Sequence, residues 1–161
     1  MSEHKPAMMI TFVIATLTAA TAGLGAAVSG SAADFWYLTI DRPELRPPDF
    51  VYSIVWPILF VLIAFGAILV RVKAGSFAAC SGALGLYFVQ LAVNLSWNWL
   101  FFAFQEILLA MLAMIALWIL IIATMRAFAK YSTTAVFLLV PYLIWASFSA
   151  YLNASILLAG Q

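Results

Sequence analysis

The side chains in this chain that could hold a ligand are mostly indoles, phenols and carboxamides. In the stretch "QLAVNLSWNWLFF", Gln90, Asn94 and Asn98 recur every four residues, with Trp97 beside them. On a helix that spacing places the three amides in one stripe. In "VPYLIWASFSAYLN", Tyr142, Trp145, Ser149 and Asn153 follow at steps of three and four, again one helical face. A third stretch, "FVYSIVWPILF", carries Trp56 and Pro57 in an otherwise apolar run. Indole and phenol rings stack on flat apolar molecules, and amides orient such molecules through hydrogen bonds. The chemistry on offer is therefore recognition. Conventional acid, base or nucleophilic catalysis has no carboxylate pair or Ser-His pair to carry it. The lone His4 lacks partners for a metal site, and the lone Cys80, in an apolar run, reads as a small packing residue.

These residues must be positioned by helices in a membrane. Of the 161 residues, 67% are apolar and 8% charged, against about a quarter charged in soluble domains. So few charges cannot cover a water-facing surface, and lipid must be the solvent for most of the chain. Seven scattered Lys and Arg form no basic face, which argues against nucleic-acid binding. The charges leave uncharged runs at 6–33, 50–70, 74–105, 107–125 and 131–161. A span needs about 20 apolar residues, so these runs predict membrane helices over about 7–28, 51–71, 77–102, 106–128 and 133–158. The fold class is an all-α membrane protein, one integral domain over 1–161, built as a five-helix bundle. The third and fourth helices, separated by "AFQE", should form a tight antiparallel hairpin.

With five crossings, Lys5, Arg71, Lys73, Arg126 and Lys130 share one side of the membrane. Arg42 and Arg46 lie on the other, diluted by Asp34, Asp41, Glu44 and Asp49. If the membrane is a bacterial inner membrane, the positive-inside rule puts the N-terminus in the cytoplasm and the long first loop outside. Lys5, an apolar run and "GAAVSGSAA" have the outline of a secretory signal, but the run is longer than a signal core and is interrupted by threonines. It reads instead as a first membrane helix. Its Ala19, Gly23 and Ala27, and Ala79, Gly82, Ala83 and Gly85 on the third helix, offer flat strips for close helix approach, either within the bundle or between copies.

No Asp, Glu, Lys or Arg lies deep in a span, which argues against an ion pump. The polar stripes admit two readings. They could hydrogen-bond helices together, or they could line a cavity; an amide cannot face hydrocarbon without losing several kcal/mol. Trp36 and Tyr37 suit the membrane interface, Trp118 could face lipid, and Trp56 could be an interfacial residue or a cavity wall. Pro43, Pro47 and Pro48 stiffen the first loop, as expected of a lid over the bundle. Pro141 removes one helix hydrogen bond and invites a kink in the fifth helix.

The run "WYLTIDRPELRPPDFVYSIVWPILF" resembles the first-loop and second-helix signature of the translocator protein family, also known as the tryptophan-rich sensory proteins or peripheral-type benzodiazepine receptors. The two stretches quoted first resemble the family's third- and fifth-helix motifs, and all three occur in family order. The resemblance implies a five-helix bundle, commonly a homodimer, with a ligand cavity roofed by the first loop. It implies porphyrins and other tetrapyrroles, sterols in animal members, synthetic isoquinoline carboxamides or similar flat apolar molecules as ligands; no cofactor or metal is expected. Carried over by motif, the ligand-binding residues are Tyr37, Pro47, Trp56, Phe60, Asn94, Trp97, Trp145, Phe148 and Ser149. Leu45 stands where the family often has a tryptophan, and no Lys or Arg follows Tyr151 to complete the sterol motif of animal members.

The expectation is a multi-pass membrane receptor or carrier for tetrapyrroles, with a regulatory or transport role in their metabolism. Two alternatives stand beside it. One is an enzyme that breaks down bound porphyrin in light, with Trp56 and Trp145 as the reactive indoles. The other is a regulatory protein that binds membrane partners through its small-residue strips.

Overall fold

The computed structural model describes residues 4–33, 36–40 and 45–160, with side chains from Met8 to Gly30 in the first of these segments. Among the described residues there are five long helices: α1 (His4–Ala33), α2 (Asp49–Ala74), α3 (Phe77–Asn98), α4 (Ile107–Ala129) and α5 (Thr133–Ala159). A short 3-10 turn, Trp36–Leu38, follows α1, and a π-helical turn, Trp99–Ala103, continues α3. In the first loop Asp34, Asp41, Arg42, Pro43 and Glu44 lie outside the described residues, as do the side chains of His4 and Lys5.

The helix boundaries follow local chemistry. α1 runs past the expected 7–28 at both ends, because the Ala-rich segment after Leu24 continues to favour helix. Ser76 caps α3 by accepting a 3.2 Å bond from the Ala79 amide, and Ser132 caps α5 in the same way through Ala135. Gly75, at φ +75°, makes the turn between α2 and that cap. α2 and α5 continue as helix through Pro57 and Pro141. α3 departs from the expected 77–102: regular helix stops at Asn98 and a wider turn takes over, marked by the 2.9 Å bond from the Phe104 amide to the Trp99 carbonyl. Gln105, at φ +59°, then reverses the chain into α4.

Around the bundle the order is α1, α2, α5, α4, α3, closing back on α1, with α3–α4 and α4–α5 the most extensive contacts. Ile63, Leu84, Met114, Leu117, Ile121 and Leu139 are fully buried in its core. Gly66 brings α2 close to α5; a methyl group there would come within 3.0 Å of the Leu139 side chain and 3.3 Å of the Ala135 carbonyl. Polar side chains point inward too, including Thr18, Gln90, Asn94, Asn98, Thr124, Ser149 and Asn153. The outer surface is apolar, with Phe12, Phe65, Leu112, Ile119 and Ile144 all exposed. All five helices are long and apolar enough to cross a membrane. A shell of exposed Phe, Leu and Ile around a partly polar interior is suited to lipid, and the protein is a multi-pass integral membrane protein.

The small-residue strips do not pack within the bundle, apart from Ala83, which is buried. Ala19, Gly23 and Ala27 on α1 are exposed, as are Ala79, Gly82 and Gly85 on α3. A side chain added at Gly23, Gly82 or Gly85 would meet no other atom within 4 Å.

Candidate functional site

A cavity of about 400 Å³ lies between α1, α2, α3 and α5, at the end of the bundle where the first loop leaves α1. Each helix supplies a different chemistry. From α1 come Ala22, Gly25, Ala26, Ser29 and Gly30, which present backbone and little else. From α2 come Tyr52, Ser53, Trp56, Pro57 and Phe60, with Asp49 at its first turn. α3 and its π turn add Trp97, Asn98, Phe101 and Phe102, while α5 adds Ser149, Leu152, Asn153 and Ile156. Tyr37 joins them from the first loop.

The aromatic residues form a connected wall. Trp56 packs on Phe60 at 5.8 Å and on Trp97 at 6.1 Å between ring centroids. Trp97 stacks on Phe101 at 6.1 Å, and Phe101 and Phe102 meet edge to face at 4.9 Å. Trp36 and Tyr37 rest on Phe101, at 5.6 Å and 6.2 Å, and Tyr37 also meets Phe102 at 5.9 Å. The π turn carries both Phe101 and Phe102, so an irregular turn supplies the ring surface on which the first loop sits. Beside it, Arg46 lies 5.6 Å over the Tyr37 ring and pairs with Asp49 at 3.2 Å.

The polar stripe of α3 divides its work. Asn94 donates to the Tyr142 hydroxyl at 2.9 Å, tying α3 to α5. Asn98 donates to the Asn94 carbonyl at 3.1 Å and faces the cavity. Gln90 is fully buried, and neither of its amide atoms bonds a protein group. Deeper still, Tyr87 and Thr18 share a 2.6 Å hydrogen bond between α3 and α1.

Of the residues expected at a site, Tyr37, Trp56, Phe60, Trp97 and Ser149 line the cavity. Pro47, Asn94, Trp145 and Phe148 do not. Asn94 is taken up by Tyr142, whose ring lies 6.4 Å from Trp56. Trp145 packs behind the wall, edge-on to Tyr52 at 5.7 Å and against Phe148 at 5.6 Å. Pro47 is half-buried in the loop beside Arg46. Leu45, at the position where a tryptophan is common, is largely exposed. Trp118, expected to face lipid, is partly exposed and donates to the Ser147 hydroxyl at 3.0 Å.

Residues not expected to bind a ligand also line the cavity, among them Tyr52, Asn98, Phe101, Phe102, Asn153 and the small residues of α1. Asn98 and Asn153 did carry a signal, since each belongs to a polar stripe. The residues of α1 carry none, because their contribution is space. Among the described residues no group of His, Cys, Asp and Glu is arranged to hold a metal.

The model of the TspO/MBR family matches residues 12–158, nearly the whole chain. The chain belongs to the TspO/MBR family. It is 38% identical to the tryptophan-rich protein TspO of Chlorobaculum tepidum over 135 residues, covering 83% of this chain and 84% of that protein. It is 34% identical to the tryptophan-rich sensory protein of Cereibacter sphaeroides, covering 91% and 87% of the two chains. It is also 34% identical to the human translocator protein, covering 73% and 70%. In this TspO/MBR protein, Trp56, Trp97 and Asn98 come from two of the motif stretches and converge on one hollow.

Proposed function

We propose that this protein is a membrane receptor or carrier that binds a flat, mostly apolar ligand of the tetrapyrrole class in the cavity between α1, α2, α3 and α5. The observation that carries the reading is the shape and chemistry of that hollow. One wall is the side-chain-poor face of α1, and another is the continuous ring surface of Phe60, Trp56, Trp97 and Phe101. Ring surfaces of this kind stack on planar, mostly apolar molecules. The volume of about 400 Å³ falls within the usual range for small-molecule sites, and a few polar groups among apolar ones are what orient a ligand. The first loop acts as the lid, with Tyr37 as its contact and the Arg46–Asp49 pair as its fastening.

The relatives named for sensing and translocation give the role its direction: the bound tetrapyrrole is reported on or moved, in a bacterial cell membrane. The photochemical alternative asks for both Trp56 and Trp145 beside the ligand, and Trp145 sits behind Tyr52, which favours the receptor reading. A homodimer is part of the proposal, since the exposed small residues of α1 and α3 leave room for a second copy to approach. The test is a titration of detergent-solubilised or nanodisc-embedded protein with protoporphyrin, followed by tryptophan fluorescence. Saturable quenching that weakens in Trp56→Leu supports the proposal. Linear, unsaturable quenching that is the same in both proteins removes it.

A further inference from the structure

Arg71 is a nearly buried charge without a counter-ion. It sits in the last turn of α2, at the end of the bundle away from the cavity, and is 6% exposed. A guanidinium stays charged throughout, and such a charge is seldom buried unless it is paired. Among the described residues the acids are Asp49 and Glu106. Both lie at the opposite end, at the starts of α2 and α4. The Nε of Arg71 is enclosed and bonds nothing, while its two terminal nitrogens bond no protein group and are not enclosed. The fork therefore reaches the surface with its donors free.

The groups around it suit an anion. Gly66 on α2 faces Ala135 and Leu139 on α5, and the two helices run in opposite directions. Arg71, more than a turn further along α2, stands level with the segment 130–132 that leads into α5. Ser132 accepts from the Ala135 amide, which leaves the amides of Thr133 and Thr134 free in the first turn. Such free amides and the helix dipole favour a negative group at a helix start. The Tyr131 hydroxyl donates to the Ala79 carbonyl at 2.6 Å and holds this start beside the first turn of α3. Cys80, in that turn, is close enough to Arg71 to feel its charge. Lys73, Arg126 and Lys130 are exposed at the same end and add positive charge.

Position favours a lipid as the source of the anion. Arg71 stands at the end of a helix long and apolar enough to cross the membrane, the level at which headgroups lie. Val72, Phe77 and Phe137 are exposed near that end and give acyl chains an apolar surface. A headgroup cation would find no carboxylate there among the described residues, so the headgroup should carry net negative charge. We propose that Arg71, together with the start of α5, binds the phosphate of an anionic phospholipid at the end of the bundle opposite the cavity. The site is separate from the cavity, so it stands or falls independently of the receptor reading.

The experiment uses the full chain in mild detergent with equimolar phosphatidylglycerol and phosphatidylcholine of matched acyl chains. Native mass spectrometry reads the lipid retained. The wild-type protein should hold phosphatidylglycerol about tenfold in preference, in line with a charge-assisted hydrogen bond. Equal retention of the two lipids overturns the proposal, and that arm needs no variant to fold. Arg71→Gln should abolish the preference, whereas Arg126→Gln, which removes an exposed charge from the same end, should keep most of it. Equal losses in the two variants would mean a diffuse basic belt and would overturn the site. Arg71→Lys keeps the charge without the planar fork and should weaken the preference several-fold; an undiminished preference overturns the assignment to the fork. Millimolar inorganic phosphate should not displace the lipid, and displacement would give the site to a free anion instead. Protoporphyrin should not displace it either, and competition would put the lipid in the cavity and overturn the proposal.

Discussion

Asn94 on α3 donates a 2.9 Å hydrogen bond to the Tyr142 hydroxyl on α5, and both side chains are buried. This one contact joins two helices that are not neighbours in sequence, immediately behind the ring of Trp56. It gives the α3 stripe a structural member in Asn94 and a cavity-facing member in Asn98.

The pair should behave as a stability element. Tyr142→Phe removes the acceptor and leaves the Asn94 amide unpaired, which should destabilise the protein by about 1 kcal/mol, near the middle of what such bonds are worth in membranes. Equilibrium unfolding in mixed micelles measures this. A double-mutant cycle with Asn94→Ala should show coupling between the two positions, whereas additive losses would mean the bond contributes nothing.

Gly66 tests the α2–α5 contact. Gly66→Ala places a methyl group 3.0 Å from the Leu139 side chain and 3.3 Å from the Ala135 carbonyl. The carbonyl belongs to the backbone and cannot turn aside. Overpacking of this kind typically costs about 1–3 kcal/mol, so the variant should unfold at lower temperature. Gly82→Ala meets no other atom of its own chain and should show no such loss in the monomer under the same measurement.

The bare face of α1 should set ligand size. Ala26→Leu puts a branched side chain into the hollow without disturbing a buried contact. Protoporphyrin affinity should fall about tenfold or more, because filling the space removes the ring stacking that depends on it. Thermal stability should be unchanged. Undiminished binding in this variant would place the ligand elsewhere.

The first loop should govern how long a ligand stays. Arg46 is held both by Asp49 and by the Tyr37 ring. A partly exposed ion pair and a cation–π contact are each worth only about 1 kcal/mol or less. Arg46→Ala should therefore leave stability nearly unaltered while speeding ligand release several-fold, as read by stopped-flow dilution of the protoporphyrin complex.

How far such features show in sequence differs by kind. Hydropathy runs and the charges between them place all five helices, because span length is dictated by the bilayer alone. The two amide-bearing stripes are legible for the same reason: helical periodicity fixes which residues share a face, and hydrocarbon forbids that face from pointing outward. What a stripe residue touches is not legible. Asn94 and Asn98 are one turn apart, and only the position of Tyr142, forty-eight residues away, assigns the first to packing and leaves the second to the cavity. Trp145 shares a stripe with Ser149 and Asn153, yet Tyr52 stands between it and the hollow. The α1 wall is invisible for a different reason. Ala22, Gly25 and Ala26 matter for the volume they do not fill, and volume exists only once neighbouring helices are in place. The strip at Ala19, Gly23 and Ala27 draws the eye at four-residue spacing, but it lies on the outside. The π turn at Trp99–Ala103 has no composition of its own to mark it.

The most direct measurement is an experimental structure of the protein soaked or co-purified with protoporphyrin. Macrocycle density should lie between α1 and α2, against the rings of Trp56 and Trp97. Density confined to the lipid-facing surface, or side chains closed over an unfilled and ligand-free centre at saturating porphyrin, would contradict it.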